Sequence, residues 1–117
     1  MMNKTFLLII IGLFFGFNSF AQTQTEMNAE AYKNYDLADK DLNKAYKKLI
    51  SILNPEEKKL LIETQRDWIK FRDSHCKFEA QPFNMGSMQP LIRANCLEEK
   101  TRARTKDLKE SYESRKF

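Results

Sequence analysis

Glycine and proline interrupt this chain at only a few points, and their distribution limits the folds that it can adopt. The sequence holds three glycines and three prolines, of which Pro55, Pro82, Gly86 and Pro90 lie beyond residue 21. Because these two residue types are the strongest local breakers of regular structure, the segments between them can form long, uninterrupted elements. The sequence shows no strand-like alternation of β-branched residues. We therefore predict an all-α fold.

The N-terminal segment predicts a signal peptide. A basic residue precedes an apolar run from Phe6 to Phe17, and Ser19-Phe20-Ala21 then supplies small residues at the −3 and −1 positions of a cleavage site. The run is shorter than the roughly 20 residues that a membrane-spanning helix needs. We expect residues 1–21 to be removed and residues 22–117 to be exported as one domain, periplasmic or secreted, with no membrane association after cleavage. An uncleaved anchor is the alternative.

Apolar residues recur every three or four positions along the rest of the chain, which is typical of amphipathic helices. Helix 1 is expected over about 27–53, helix 2 over 55–80 and helix 3 over 90–112. Asn54 precedes a proline and is followed three positions later by Glu57, the pattern of a capping box at a helix start. The segments 27–53, 55–80 and 90–112 are thus separated by two breaks.

The helices are predicted to form an up-down-up three-helix bundle. Helices 1 and 2 are expected to form a long antiparallel hairpin, because almost no loop separates them. Helix 3 would pack against this hairpin after the loop at 81–90. The residues predicted to form the core are Leu42, Leu49, Leu61, Trp68, Phe71 and Leu97.

The chain contains two cysteines, Cys76 and Cys96. In an oxidising compartment, two cysteines in a small domain most simply form one disulfide. Folding helix 2 against helix 3 about the loop centre places Cys76 level with residue 95, which gives nearly the Cα separation of about 5.5–6 Å that a disulfide requires. We expect this bond to join helices 2 and 3 and to contribute about 3 kcal/mol to stability.

Polar residues at the predicted helix contacts are expected to fix the register of the bundle. Folding helix 1 onto helix 2 about Asn54 brings Asp39 and Arg72 toward each other, since side chains lean toward the N-terminus of their own helix. A semi-buried ion pair of this kind sets register more reliably than it adds stability. The same register predicts the pair Asn43–Gln65. Folding helix 3 back against helix 2 by the same arithmetic places Arg104 level with Asp67.

The stretch from Gln65 to Cys76 contains reactive residue types, but their spacing does not predict catalysis. His75 and Cys76 are adjacent and therefore point about 100° apart on a helix. His75 and Glu79 lie four residues apart, yet two ligands do not make a metal site. The sequence contains no glycine-rich phosphate loop and no serine-hydrolase motif. We predict no catalytic, metal-binding or cofactor-binding residue, and no enzymatic activity.

Function is instead expected to depend on the surface that the helices present. The net charge is +4, but basic and acidic residues alternate along the chain, which does not indicate a nucleic-acid-binding stripe. The loop between helices 2 and 3 is apolar and is held at its base by the predicted disulfide, so it is a candidate binding loop. Alternatively, its apolar side chains plug the end of the bundle. The loop residues are Phe83, Asn84, Met85 and Met88, and a weaker candidate surface on helix 1 holds Tyr32, Asp36 and Tyr46.

Several motifs resemble those of the LprI-type lysozyme-inhibitor N-terminal domain family. The most specific is Gln65-Arg66-x-Trp68-x-x-Phe71-Arg72-Asp73-x-x-Cys76, and the resemblance covers about residues 25–108. It implies a small exported helical protein whose partner is a lysozyme, inhibited by steric occlusion of its cleft. The rival interpretation is a periplasmic structural or envelope-stress helical module that makes no lysozyme contact and self-associates through helix 1. The other matching motifs are Glu26-Met27-Asn28, Asp39-x-Asp41-Leu42-Asn43-x-x-Tyr46, and Cys96-Leu97 with Thr101 and Arg104.

Overall fold

The computed structural model describes the backbone of residues 4–117 and the side chains of residues 23–117. It confirms the all-α prediction, since the described chain folds into three long helices and contains no strand. The helices run up, down and up, and a disulfide joins the second to the third. The elements are α1 (Lys4–Ile50), α2 (Pro55–Ala80), a single 3-10 turn (Gln81–Phe83) and α3 (Gln89–Arg115).

Helix α1 begins much earlier than the sequence pattern indicated. It was expected from about Met27, whereas it starts at Lys4 and runs without a break to Ile50. The segment before Met27 contains no proline, and its glycines each cost a helix only about 1 kcal/mol, so nothing in the sequence forces a break. The side chains of the predicted signal peptide lie outside the described residues, and its cleavage after Ala21 stays a prediction.

The junction between α1 and α2 is a tight turn followed by the predicted capping box. Backbone hydrogen bonds from Ile52 to Leu49 and from Leu53 to Ile50 tighten the end of α1. Asn54 is extended, with φ −73° and ψ 167°, as a residue before proline prefers. Its Oδ1 accepts a hydrogen bond from the Glu57 backbone N–H at 2.8 Å, and Glu57 Oε1 accepts one from the Asn54 N–H at 3.3 Å. The helix therefore starts where the sequence pattern indicated.

Replacing Asn54 with alanine is expected to lower the free energy of unfolding by about 1 kcal/mol. The first turn of α2 would lose its side-chain acceptor, and the backbone N–H of Glu57 would depend on water. Chemical denaturation monitored by circular dichroism measures the change. Asn95 is exposed within α3, so Asn95→Ala is the matched control and should leave stability unchanged or slightly raised. Equal effects of the two substitutions would contradict a capping role.

Helix α3 packs against both other helices, while α1 and α2 make little contact with each other. Helices α1 and α3 run side by side in the same direction, so that Ala31 packs with Leu91 near one end and Leu49 packs with Leu108 near the other. Arg102 of α3 also forms an ion pair with Asp41 of α1, with an N–O distance of 3.6 Å. The buried hydrophobic residues are Ala31, Ala38, Leu42, Ala45, Leu49, Leu53, Cys76, Ala80, Leu91, Ala94, Leu97 and Leu108.

This packing differs from the predicted one, in which α1 and α2 pack against each other as a hairpin. As a result, one residue expected in the core is exposed. Phe71 is 57% exposed, so its assignment to the core was wrong. It was expected to fill the α1–α2 seam, but α1 packs on α3 instead. Trp68 and Leu61 are half-buried against the cluster around Leu49. Of the remaining expected core residues, Leu42, Leu49 and Leu97 are buried.

Within the described residues, none of the helices combines the length and the apolar character that crossing a bilayer requires.

Candidate binding surface

The Cys76–Cys96 disulfide anchors the connection between α2 and α3, as predicted. The Cα atoms of the two cysteines are 5.5 Å apart, and Cys76 is completely buried. Four residues after Cys76, α2 ends at Ala80, and the chain continues into the 3-10 turn at Gln81–Phe83. The disulfide therefore holds the end of α2 next to the beginning of α3, at the base of the short loop that connects them.

The connecting loop is held by hydrogen bonds within its own backbone and by a hydrogen bond from α1. Backbone hydrogen bonds join Asn84 to Gln81 at 3.1 Å and Gly86 to Phe83 at 3.0 Å. The Asn28 side chain of α1 donates to the Ser87 carbonyl at 3.4 Å. These contacts fix the path of the loop between the disulfide and the start of α3.

The apolar side chains of the loop differ in their exposure to solvent. Met85 is 96% exposed, and Phe83 and Met88 are each about 40% exposed. Asn84 is exposed as well. Met85 therefore does not cover the end of the bundle, and the alternative in which the loop side chains plug that end does not apply to this residue. The four loop residues that the sequence singled out thus lie together on an exposed segment with a fixed base.

Arg72 is the most highly connected polar residue of the bundle. Only 7% of it is exposed, and its Nη1 donates to Thr101 Oγ1 at 3.4 Å. Its Nη2 lies 2.9 Å from Asp73 Oδ1. The guanidinium carbon lies 5.1 Å from the ring centre of Trp68 and 5.5 Å from that of Tyr35, within cation–π distance of both. One side chain thus links all three helices.

The predicted Asp39–Arg72 ion pair is not what the structure shows. Arg72 pairs with its neighbour Asp73, while Asp39 accepts a weak hydrogen bond at 3.5 Å from Asn43 on its own helix. The reason is the separation between α1 and α2, which the ring of Tyr35 fills at this level. The sequence patterns did not identify Tyr35 as a partner of Arg72.

The other predicted polar pairs are also rearranged. Gln65 was expected to meet Asn43, and Arg104 was expected to meet Asp67. Instead, Arg104 Nε donates to Gln65 Oε1 at 3.0 Å, because α2 faces α3 at this level, while Asp67 is exposed. Burial lowers the pKa of Arg104, an effect that the nearby Asp107 carboxylate opposes. Gln65 therefore pairs with Arg104 of α3 rather than with Asn43 of α1.

The geometry around His75 offers little for metal binding. Its Nε2 lies 3.8 Å from Glu79 Oε1, one turn along α2, and its ring stacks on Phe71 with 5.5 Å between ring centres. In the part of the chain that the structure describes, no group of three or more potential ligand side chains could hold a metal ion.

The fold and its surface define a small all-α domain whose second and third helices are joined by one disulfide and whose connecting loop is exposed. More specifically, the chain belongs to the lysozyme inhibitor LprI family, whose model matches residues 18–108. A relative, an uncharacterised protein of Rhizobium meliloti (strain 1021), is 35% identical over 107 residues, which cover 80% of this chain and 77% of that protein. No solved structure matches the chain.

Proposed function

We propose that this protein is an exported, non-enzymatic inhibitor that blocks the cleft of a lysozyme with the loop between α2 and α3. The proposal includes removal of residues 1–21 by a signal peptidase. Membership of the LprI family supports the choice of lysozyme as the partner. The observation that carries the proposal is Met85, which is almost completely exposed on a loop whose base is held by the Cys76–Cys96 bond.

The physical reason for assigning inhibition to the loop is the low cost of ordering it. A binding segment that is already anchored loses less conformational freedom on association than a free one, so more of its contact energy appears as affinity. Exposed methionine and phenylalanine side chains provide apolar area without a fixed shape, which suits insertion into a cleft. Phe83 and Met88 flank Met85 and extend the apolar area on either side.

Exchange of Met85 for serine is expected to weaken lysozyme inhibition by about tenfold or more, as for a central interface residue. The assay follows lysis of bacterial cell walls by chicken-type lysozyme, as loss of turbidity, with increasing amounts of the mature protein. Because Met85 makes no covering contact with the bundle, the variant should melt at the wild-type temperature.

The matched control is Leu60→Ser, which removes a comparably apolar and 58% exposed side chain near the opposite end of α2. Its inhibition constant should equal that of the wild type. Equal losses in the two variants would remove the loop from the proposal. A wild-type protein that leaves lysis unchanged at tens of micromolar would contradict inhibition of this lysozyme and favour the structural-module interpretation.

A further inference from the structure

A row of exposed aromatic side chains follows one side of α2. Phe71 is 57% exposed and Phe78 is 72% exposed, and His75 lies between them, stacked on Phe71. The spacing of three and four residues places the three rings on one stripe of the helix. Since α1 packs on α3 rather than on α2, no helix of the described structure covers this stripe.

A second stripe lies next to it on α1. Tyr32, Asp36 and Asp39 follow one another at intervals of four and three residues, so they share one side of that helix. Tyr35 belongs to the same side, and its ring contacts the guanidinium of Arg72 on α2. This contact places α1 beside α2 at this level. We call the two stripes together the acidic aromatic face and define it by Tyr32, Asp36, Asp39, Phe71, His75 and Phe78.

The face holds the carboxylates of Asp36 and Asp39, although the whole chain carries a net charge of +4. The pKa of Tyr35 is raised first by burial and further by the carboxylates of Asp39, Asp73 and Asp36, against an opposing effect of Arg72. Glu79 adds a carboxylate 3.8 Å from His75. Arg72 is buried and already paired with Asp73, so its charge is not available to a partner.

The exposed cations of α2 beside the phenylalanines point away from them. Lys70 and Lys77 each precede one of the exposed rings by a single residue, which on a helix of 3.6 residues per turn directs them about 100° away. These lysines therefore lie on another side of α2 than the apolar stripe.

We infer that the acidic aromatic face docks a strongly basic protein and, resting on the proposed function, that this protein is the lysozyme whose cleft the loop enters. A basic partner would be steered by the carboxylates and then held by apolar contact with Phe71 and Phe78. Phe78 lies three residues before the 3-10 turn that begins the loop, so face and loop are consecutive along the chain. The carboxylates of the face are complementary to a basic partner, whereas the net positive charge of the whole chain is not.

The test exchanges the signs of the charges at the face and compares the result with the same change elsewhere. Asp36→Lys combined with Asp39→Lys alters the face, while Glu99→Lys combined with Glu110→Lys makes an identical change in net charge at exposed positions of α3. Association and dissociation rates of the mature proteins with chicken-type lysozyme are measured at about 0.01 M and about 0.15 M ionic strength, where screening differs strongly. Circular dichroism confirms that each variant is folded.

The face variant is expected to associate about tenfold more slowly than the wild type at low salt, and the α3 control within about twofold of it. The difference should shrink at the higher ionic strength. A separate variant, Phe71→Ser, should dissociate about tenfold faster, because an exposed apolar contact is lost without a change in charge. If the wild type inhibits and the two charge variants associate equally, the face is not the docking surface while the proposed function stands. Absence of any wild-type binding overturns the function and this assignment together.

Discussion

Substitution of Arg72 by alanine is expected to lower the free energy of unfolding by about 3 kcal/mol, one of the two largest effects of any change considered for this protein. The side chain is buried, and its aliphatic part and guanidinium fill the space between Tyr35, Trp68 and Thr101. Its removal leaves a cavity where the three helices meet. The measurement is a urea titration of the mature protein followed by circular dichroism.

Two further variants separate packing from charge at this position. Arg72→Met keeps most of the stem and should cost about half as much as the alanine variant, since long side chains stabilise through their methylenes as well as their charge. Asp39→Ala should change stability by less than about 0.5 kcal/mol, because Asp39 contacts Asn43 rather than Arg72. If Asp39→Ala lowered the free energy of unfolding as much as Arg72→Ala does, the result would support the Asp39–Arg72 ion pair that the sequence register predicted.

The positions of the helix ends were largely predictable, because their causes are local. Asn54, Pro55 and Glu57 specify the start of α2 through one residue's conformation and two hydrogen bonds, and each can be recognised within four residues of sequence. The disulfide was predictable for a similar reason, since the short loop limits how residues on either side of it can align. By contrast, the beginning of α1 has no local breaker, and the predicted boundary there was wrong.

The order in which the helices pack could not be derived from the same patterns. An apolar stripe shows that a helix is covered, but not which partner covers it. The face of α3 toward the core includes Thr101 and Thr105, which a hydrophobic pattern counts as polar. In the structure both are buried, and the Thr105 hydroxyl donates to the Thr101 carbonyl within the same helix. The Thr101 hydroxyl accepts a hydrogen bond from Arg72 of α2. The main apolar core forms between α1 and α3, whereas Phe71 of α2 had been expected to belong to it.

The candidate surface follows from that packing and was therefore only partly visible in the sequence. The loop could be identified by its glycine, its prolines and its apolar residues. The exposure of Phe71 and Phe78 could not be identified in the same way, because a large apolar side chain at helical spacing is more often buried than exposed. Their exposure follows from the position of α1 against α3.

Removal of the disulfide is expected to destabilise the protein by about 3 kcal/mol in the variant with Cys76→Ala and Cys96→Ala. The cross-link reduces the conformational entropy of the unfolded chain, because it joins two residues whose sequence separation is 20. Alanine is the appropriate replacement because Cys76 is buried, and a serine hydroxyl there would need a new hydrogen-bond partner. Chemical denaturation of the variant and the wild type, both without reductant, gives the difference.

The loss should be distributed unevenly over the three helices. Helices α1 and α3 share an extensive apolar contact, whereas α2 is held to α3 by the disulfide, by the Arg104–Gln65 hydrogen bond and by the Arg115–Glu57 ion pair at 3.1 Å. Local opening is expected to begin in the element with the fewest buried contacts. Amide hydrogen exchange of the variant should therefore lose protection first in the C-terminal half of α2 and in the loop, while residues 38–49 of α1 retain it. An equal loss of protection in α1 would mean that the three helices unfold as one unit and that the cross-link stabilises all of them alike.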